Sequence, residues 1–327
     1  MPGPAEIGGE VQAALKLPAV SHRGADFVRR FEAVRARLRA LTGAPHVALF
    51  QGSGTLANDA IASCLAGEGL ILVNGEFGRR IAQQALRWQL PARILEWPWG
   101  TAWDLDQVRA QLGSARWIWG VHLETSTGML NDIRGLSRVA RDGGARLCLD
   151  CISSLGSVPF DLRDVWLASG VSGKSLGSYT GVAFVFASEL PRAVHPVPAY
   201  FDVAETIRTE GPRFTFSSPL LFALERALEM QYDYSRLGRL VREGLLKAGV
   251  TPLVPESVAA PTVTTFATPG PAFLGRCRAR GYAVGGESDY MVARNLVQIA
   301  TMGAVSPRHV EDFFAHWESF SAKASAA

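Results

Sequence analysis

Ala145-Arg146-Leu147-Cys148-Leu149-Asp150 is a short apolar run that ends in a carboxylate. Its length and its aliphatic side chains are typical of a buried strand. The loop Ser172-Gly173-Lys174-Ser175 follows farther along the chain and holds a lysine between small residues. Upstream, Gly52-Ser53-Gly54-Thr55 separates another apolar run from a segment with a helical pattern. These stretches predict a parallel-sheet scaffold that carries a carboxylate, an amine and a loop of free backbone N–H groups.

Short apolar runs alternate with amphipathic segments through the first two-thirds of the chain. This alternation predicts an α/β fold with a mostly parallel seven-stranded sheet and helices on both of its faces. The predicted strands are His46–Phe50, Leu70–Val73, Ala92–Glu96, Trp117–His122, Ala145–Asp150, Val165–Ser169 and Val182–Phe186. The predicted helices are Ala25–Leu41, Thr55–Leu65, Arg79–Trp88, Leu105–Leu112 and Ile133–Arg141.

A second, smaller unit is predicted after the Pro-rich stretch Pro191–Pro198. The run Pro219–Tyr234 has the pattern of one long helix that leads into it. The unit has an α+β pattern, with a helix from about Leu240, strands at Thr262–Phe266 and Leu296–Ile299, and a terminal helix over Ser306–Phe320. We therefore predict an N-terminal arm over residues 1–24, a large domain over 25–235 and a small C-terminal domain over 236–327.

The composition is that of a compact folded chain. Of its 327 residues, 48% are hydrophobic and 19% are charged, which excludes the disordered and fibrous classes of protein. A net charge of +3 gives little support to nucleic-acid binding. Apolar stretches fall short of the roughly 20 residues that span a bilayer, and the N-terminus lacks the pattern of a signal peptide. We expect a cytoplasmic protein without a membrane partner.

The four cysteines, Cys64, Cys148, Cys151 and Cys277, are too few and too scattered for a disulfide framework. Cys148 and Cys151 have CxxC spacing, but a second pair that would complete a zinc site is missing from the sequence. We interpret these two as small buried hydrophobes and predict no metal site.

Lys174 is the candidate nucleophile. A lysine becomes nucleophilic when burial or a neighbouring charge lowers its pKa, and it then forms a Schiff base with an aldehyde. The small residues around Lys174 leave room for such a partner. Taken alone, a lysine in a Gly/Ser loop is more often simply exposed to solvent, so the interpretation depends on its neighbours.

Asp150 is the most informative of those neighbours. A carboxylate at the carboxyl end of a central strand can hold a pyridine nitrogen in its protonated form. Its alternative role is an ordinary turn or helix cap. The Gly52–Thr55 loop can hold a phosphate with backbone N–H groups and hydroxyls, or can act only as an N-cap. An amine, a carboxylate and a phosphate site together are what pyridoxal 5'-phosphate (PLP) requires.

These residues resemble the class V aminotransferases of PLP fold type I, near the alanine–glyoxylate and 2-aminoethylphosphonate aminotransferases. The resemblance runs from Gly3 through roughly Arg226 and more faintly to Gly303. It rests on ordered segments: Ser21-His22-Arg23, Gly52–Thr55, Asn74-Gly75-Glu76-Phe77-Gly78, His122–Gly128, Asp150 followed by Ser153-Ser154-Leu155-Gly156, Lys174 with Gly181, and Arg213-Phe214-Thr215. Agreement of so many motifs in one order is specific.

The resemblance implies roles for individual residues. Lys174 is the expected Schiff-base lysine and proton shuttle, and Asp150 the expected partner of the pyridine nitrogen. The other expected cofactor contacts are Ser53, Gly54 and Thr55 at the phosphate, Phe77 stacked on the ring, Thr125 near the ring hydroxyl, Ser172 beside the lysine, and Thr215 reaching the phosphate of the neighbouring subunit. A homodimer with composite sites follows from that last role.

Other matching residues have a simpler alternative. His22 and Arg23 fall where the family lines the entrance for substrate, yet a surface pair fits the sequence equally well. Without the family frame, Phe77 is a core phenylalanine and Thr125 a residue of a polar loop. Glu124 and His122 are expected to brace the loop, His122 as a satisfied core histidine.

Gln298 marks a departure from the family pattern. The family usually has an arginine there that binds the substrate α-carboxylate, and a neutral amide cannot replace a guanidinium–carboxylate pair. Either Arg294 or Arg23 supplies the charge from a shifted position, or the substrate lacks an α-carboxylate or presents it differently. Gly173, where the family commonly has glutamine, is a further difference.

The leading hypothesis is a homodimeric PLP-dependent aminotransferase that moves an amino group between an amino donor and an oxo acid or aldehyde. A lyase or decarboxylase of specialised metabolism is the first alternative, motivated by Gln298. A non-catalytic homologue that only binds a ligand is the second, and the presence of both Lys174 and Asp150 argues against it.

Overall fold

Seven strands form the central sheet of the computed structural model, which describes residues 3–159 and 161–321. Its spatial order is β1-β9-β8-β7-β4-β2-β3. The antiparallel strand is β9, and every other pairing in the sheet is parallel. The strands of this sheet are β1 (His46–Gly52), β2 (Gly69–Val73), β3 (Ala92–Glu96), β4 (Trp117–Val121), β7 (Arg146–Asp150), β8 (Leu167–Val171) and β9 (Gly181–Ala187). The numbers β5 (Leu123–Glu124) and β6 (Met129–Leu130) belong to a small hairpin after β4.

The predicted mostly parallel sheet is therefore confirmed. All residues of β2, β4 and β8 are buried, because helices cover both faces of a parallel sheet. The helices of this part are α1 (Gly9–Leu15), α2 (Ala25–Thr42), α3 (Gly54–Ala62), α4 (Glu76–Arg87), α5 (Leu105–Leu112), α6 (Ile133–Asp142), α7 (Val203–Arg208) and α8 (Ser218–Ala227). One core cluster includes α2 and α8, and another includes α3, α4 and α7.

Residues 234–321 form a smaller α+β unit with a core of its own. Its elements are α9 (Tyr234–Lys247), β10 (Val263–Ala267), α10 (Phe273–Ala279), α11 (Asp289–Val292), β11 (Leu296–Ala300), α12 (Pro307–Ala315) and α13 (Trp317–Ser321). β10 and β11 form an antiparallel pair. We call residues 234–321 the C-terminal unit. Met1 and Pro2 of the predicted arm, and residues 322–327 of the predicted small domain, lie outside the described residues.

Two predicted helices were wrong in length. The run Pro219–Tyr234 is not one helix, because α8 ends at Ala227 and α9 begins at Tyr234. The Asp233 side chain accepts the Arg236 N–H and so caps the second helix, which is more favourable for an aspartate than an interior position. The predicted terminal helix Ser306–Phe320 likewise breaks at His316 into α12 and α13.

Strand boundaries shifted by a residue or two. The predicted Val165–Ser169 strand is β8, Leu167–Val171, and the strand predicted to reach His122 ends at Val121. None of the helices in residues 3–159 and 161–321 is long and apolar enough to cross a bilayer. Cys148 and Cys151 are buried and free, as their interpretation as small hydrophobes requires.

Candidate active site

The carboxyl ends of β1, β7 and β8 meet at one edge of the sheet. Gly54 begins α3 directly after β1, and its Cα faces Ile152 and Val171, from the segments after β7 and at the end of β8. A Cβ at Gly54 would lie 2.3 Å from Ile152 Cδ1 and 3.3 Å from Val171 Cγ1. Glycine permits this close contact without displacing the Ile152 side chain, and the contact brings the loop after β1 against those that hold Asp150 and Lys174.

Asp150 is the last residue of β7 and is buried, with 5% of its surface exposed. Its Oδ2 accepts a hydrogen bond of 2.9 Å from Asn58 Nδ2, and its Oδ1 accepts one of 2.9 Å from the Ile152 N–H. Burial raises the pKa of Asp150, whereas these donors and the positive charge of Lys174 oppose the rise. The carboxylate is thus fixed in orientation before any ligand binds.

Lys174 lies in the loop after β8. Burial lowers the pKa of its amine below the usual lysine value, and the positive charge of Arg80 adds to that effect, while Asp150 opposes it. The N-terminal arm lies over the amine, because a Cβ at Gly3 would be within 2.4 Å of Lys174 Nζ. A lysine in this environment has a larger neutral fraction than an exposed one, as a nucleophile requires.

Hydrogen bonds within the loop position Lys174. Ser172 Oγ donates to the Tyr179 carbonyl at 2.6 Å and accepts the Val182 N–H at 3.3 Å. Gly173 lies against Thr180, where a Cβ would be 2.4 Å from the Thr180 methyl carbon. Ser172, predicted from the family as a cofactor contact, therefore already uses its hydroxyl proton to hold the loop.

A chain of hydroxyl groups links the loops of the site. Thr125 Oγ1 donates to Ser153 Oγ at 2.6 Å, and Ser175 Oγ donates to the Ser153 carbonyl at 2.9 Å. The Tyr234 hydroxyl then donates to the Ser175 carbonyl at 2.6 Å and accepts the Gly303 N–H at 3.0 Å. Thr125 and the lysine loop are thus coupled to each other and to the C-terminal unit.

The start of α3 has the features of an anion site. Ser53 is the N-cap residue, with extended backbone angles and a side chain that makes no capping hydrogen bond. Ser53 and Thr55 are exposed, so their hydroxyls are accessible to a ligand. The positive end of the helix dipole and the first N–H groups of α3 favour an anion at this place.

Glu124 holds the first turn of α4, which carries Phe77. The fully buried carboxylate accepts the N–H groups of Phe77 at 3.3 Å and Gly78 at 3.0 Å. It also accepts the Ser126 N–H at 3.2 Å and the Ser126 hydroxyl. Burial raises the pKa of Glu124, and these donors oppose the rise. The expectation that Glu124 braces the loop is confirmed.

We expect Glu124→Gln to destabilise α4, because an amide NH₂ would face N–H donors that the carboxylate now accepts. The free energy of unfolding should fall by about 1.5–3 kcal/mol, measured by urea denaturation followed by circular dichroism. Ser126→Ala is the comparison, since it keeps the carboxylate and removes only the hydroxyl, which donates to Glu124 and accepts the Glu76 N–H at 3.0 Å, and it should cost about 1 kcal/mol. Equal stability of Glu124→Gln and the parent would contradict this role.

His122 lies deep in the core at the end of β4, with 3% of its surface exposed. Burial lowers the pKa of its imidazole to about 4, so the ring is neutral at pH 7. Its backbone N–H donates to the Asp150 carbonyl at 2.9 Å. The interpretation of His122 as a core residue is confirmed.

Gln298 is buried in β11 and faces the Thr125 loop. Its Nε2 donates to the Thr125 carbonyl, and to Thr265 Oγ1 at 2.8 Å. Both amide hydrogens therefore have protein acceptors. The donors of Gln298 tie the C-terminal unit to the site, so a direct contact to substrate would have to come from its oxygen.

Three predicted site residues lie outside the contacts described so far. His22 and Arg23 belong to the turn before α2, where the Arg23 N–H donates to Ser21 Oγ at 3.3 Å. Thr215 is exposed and its carbonyl accepts Gln51 Nε2 at 3.2 Å, beside the end of β1. Its hydroxyl is available to a molecule outside this chain.

Sequence reasoning missed Asn58, Ser153 and Tyr234. Asn58 interrupts an otherwise apolar face of α3, Ala57 to Ile61, and a lone buried amide of this kind was the available signal. Ser153 stands out in the sequence only as part of a small-residue turn. The sequence around Tyr234 does not indicate a role in the site, because its hydrogen bond to the Ser175 carbonyl depends on how the C-terminal unit packs.

Comparison with known proteins identifies similar enzymes and similar folds. The chain is 30% identical over 269 residues to a 2-aminoethylphosphonate–pyruvate transaminase of Pseudomonas putida (strain GB-1), a match that covers 72% of this chain and 73% of that protein. A pyridoxamine–pyruvate aminotransferase structure from Mesorhizobium loti has the same fold, with a TM-score of 0.89, 20% identity, and coverage of 99% and 92% of the two chains.

An alanine–glyoxylate aminotransferase structure from Nostoc sp. matches with a TM-score of 0.85 and 24% identity, over 98% of this chain and 93% of that one. The family model described as Aminotransferase class-V matches residues 10–211, which hold α3, Asp150 and Lys174. The chain belongs to the class V aminotransferase family.

Proposed function

We propose that this protein is a PLP-dependent aminotransferase that moves an amino group between an amino donor and an oxo acid or aldehyde. The observation that carries the proposal is the placement of a half-buried lysine and a buried, pre-oriented aspartate at the same sheet edge. Perturbed titratable groups of opposite charge in such a cluster are typical of a catalytic centre.

The residues present fit PLP. Asn58 Oδ1 is a buried oxygen that makes no hydrogen bond within the described chain, and the Ser53 hydroxyl is likewise unused by the helix that it caps. Ser53, Gly54 and Thr55 would hold the phosphate, Asp150 the pyridine nitrogen, and Phe77 and Thr125 the ring. When bound, PLP would supply an aldehyde for the lysine and a ring that accepts electrons.

Lys174 would provide the covalent attachment point and then, once released as a free amine, carry a proton at Nζ. Its lowered pKa keeps part of the amine neutral, so it can accept the proton and return it to a different carbon. Ser175 supports this role by tying the lysine loop to Ser153. The arm at Gly3 would restrict the access of water to the amine.

Asp150 would keep a negative charge behind the ring nitrogen. Its hydrogen bonds from Asn58 and Ile152 hold one oxygen each and stabilise the charged form. In a homodimer, the exposed Thr215 would reach the phosphate site of the neighbouring subunit, and His22 and Arg23 would line the substrate entrance. These three placements depend on the dimer and remain predictions.

Gln298 supports a second candidate, a PLP-dependent lyase or decarboxylase. Its amide donors are directed to Thr125 and Thr265, and it offers no positive charge for an α-carboxylate. An enzyme that breaks a bond to carbon on a different kind of substrate would not need the missing arginine. A non-catalytic homologue fits less well, because the chain keeps both the half-buried Lys174 and the buried Asp150.

One experiment separates these functions. Purified protein loaded with PLP is incubated with 2-aminoethylphosphonate and with a panel of α-amino acids, without an acceptor. Accumulation of pyridoxamine phosphate with an equal amount of oxo product supports transamination. Release of substrate fragments with PLP unchanged supports the lyase. Binding of the amines without either product would support the non-catalytic homologue.

A further inference from the structure

We propose that Arg80 and Arg294 together bind an anionic group of the substrate, at a subsite walled by Phe77, Trp99 and Tyr290. We call these five residues the arginine–aromatic cluster. The inference rests on the proposed function and names a substrate class for it: an amine or oxo compound that carries a carboxylate or a phosphonate. It assigns the charge that is missing at Gln298 to two residues elsewhere in the chain.

Contacts between rings and guanidinium groups define the cluster. Arg80 Cζ lies 5.0 Å from the Phe77 ring centroid and 5.7 Å from that of Tyr290. Arg294 Cζ lies 3.7 Å above the Trp99 ring. Tyr290 joins the two halves, because its ring is 6.5 Å from Phe77 and 6.1 Å from Trp99. Each arginine thus has an aromatic surface on one face and its planar N–H fork at the edge.

The cluster borders the proposed PLP site. Phe77 begins α4 with its N–H on the Glu124 carboxylate, next to Thr125 in sequence. The positive charge of Arg80 also acts on Lys174, so the guanidinium is within electrostatic reach of that amine. An anion bound by Arg80 would therefore also be within electrostatic reach of the reacting amine.

The charges of the two arginines are incompletely balanced. Arg80 pairs with Glu76 through Nε at 3.0 Å, which leaves its terminal nitrogens for another acceptor. Arg294 has no carboxylate within 4 Å among residues 3–159 and 161–321, and its Nη1 donates to the Tyr290 carbonyl at 3.3 Å. By contrast, the neighbouring Arg79 places two nitrogens on Glu96, at 3.0 and 2.6 Å. Arg80 and Arg294 are thus suited to an external anion, and Arg79 is not.

The cluster also joins the two parts of the fold. Phe77 and Arg80 belong to α4 and Trp99 follows β3, whereas Tyr290 and Arg294 belong to the C-terminal unit. An anion held by arginines from both parts would favour their closed arrangement over the site. This is a recognition role that Gln298, buried behind the Thr125 loop, does not fill.

The test measures anion binding directly. Protein loaded with PLP is titrated with ethylphosphonate and, separately, with propionate in a calorimeter, since neither compound has an amine to react. We expect Arg80→Gln and Arg294→Gln each to raise the Kd of the preferred anion about 10- to 100-fold, the loss of one charge-assisted hydrogen-bonding group. The Kd values of Arg80→Lys and Arg294→Lys should lie between those of the parent and of the glutamine variants, because lysine keeps the positive charge but lacks the planar N–H groups of arginine.

Matched controls are Arg79→Gln, from the next position of α4, and Arg278→Gln, whose side chain pairs with Glu287 in the C-terminal unit. Both should keep the parent Kd. The stronger of the two probes identifies the anion as phosphonate or carboxylate. Binding of neither probe by the parent protein, or equal Kd values for the Arg80 and control variants, would overturn the proposal.

The same samples keep this result separate from the proposed function. Attachment of PLP to Lys174 is read from the absorption spectrum before each titration. A protein that takes up no PLP but whose anion affinity falls in the Arg80 and Arg294 variants would refute the proposed function and retain the anion subsite. A protein that attaches PLP and transaminates, but whose anion affinity is unchanged in those variants, would support the proposed function and refute the anion subsite.

Discussion

Lys174→Ala is expected to abolish covalent attachment of PLP and to lower kcat for amino transfer by about 10²- to 10⁴-fold. Lys174 is half-buried in a loop whose position is fixed by Ser172 and Ser175, whereas Lys16 and Lys247, the other lysines among residues 3–159 and 161–321, are exposed. Attachment is measured by borohydride reduction followed by mass spectrometry of the peptide that contains residue 174. The rate is measured in the half-reaction with a good amino donor.

Two further variants make the result specific to the amine. Lys247→Ala, in the exposed last turn of α9, should retain PLP and activity. Lys174→Arg keeps a positive charge near Asp150 but has no nucleophilic amine, and it should be as inactive as the alanine variant. Added ethylamine should partly restore Lys174→Ala, because a small amine can occupy the vacated space. Borohydride labelling elsewhere in the chain with full activity would show that Lys174 is not the attachment residue.

The alternation of apolar runs and helical segments was sufficient to predict the sheet and the edge at which the site lies. Asp150, Lys174 and the Gly52–Thr55 loop all follow strands that run in the same direction, and parallel strands bring their carboxyl ends together. The order of the family motifs then gave each of these residues an expected role, which stays a prediction. Strand patterns and short motifs are local in sequence, so they can be recognised before the fold is known.

Contacts between residues that are distant in the sequence could not be predicted from these local patterns. The break between α8 and α9 depends on Asp233 acting as a cap, although the surrounding pattern continues as a helix. The sequence shows that Gln298 departs from the family pattern. Only the pairing of β10 with β11 shows that its amide donates to Thr125 and Thr265. The arginine–aromatic cluster joins positions more than 200 residues apart, which no spacing rule detects.

Asp150 differs from Lys174 in that its role can be tested with almost no change of shape. Asp150→Asn keeps an oxygen for the Ile152 N–H and places an NH₂ group opposite Asn58. The Asn58 Oδ1 is buried and has no hydrogen-bond partner among the described residues. Rotation of the Asn58 amide would let this oxygen accept a hydrogen bond from the new NH₂ group. The rotation places the Asn58 NH₂ group where its unpartnered oxygen now lies, so the variant should fold with a free energy of unfolding lowered by about 1–3 kcal/mol.

What the substitution removes is the negative charge behind the ring nitrogen. We expect PLP still to attach to Lys174, and kcat for amino transfer to fall by about 10²- to 10⁴-fold, since the ring would no longer be held in the protonated form that accepts electrons. Asp150→Glu is the companion variant, because it restores the charge in a displaced position and should recover part of the rate. Asn58→Ala should have a smaller effect than Asp150→Asn, since it removes one donor to the carboxylate and keeps its charge. Full activity of Asp150→Asn with PLP attached would mean that the aspartate only caps the turn after β7, the alternative that its position at a strand end left open.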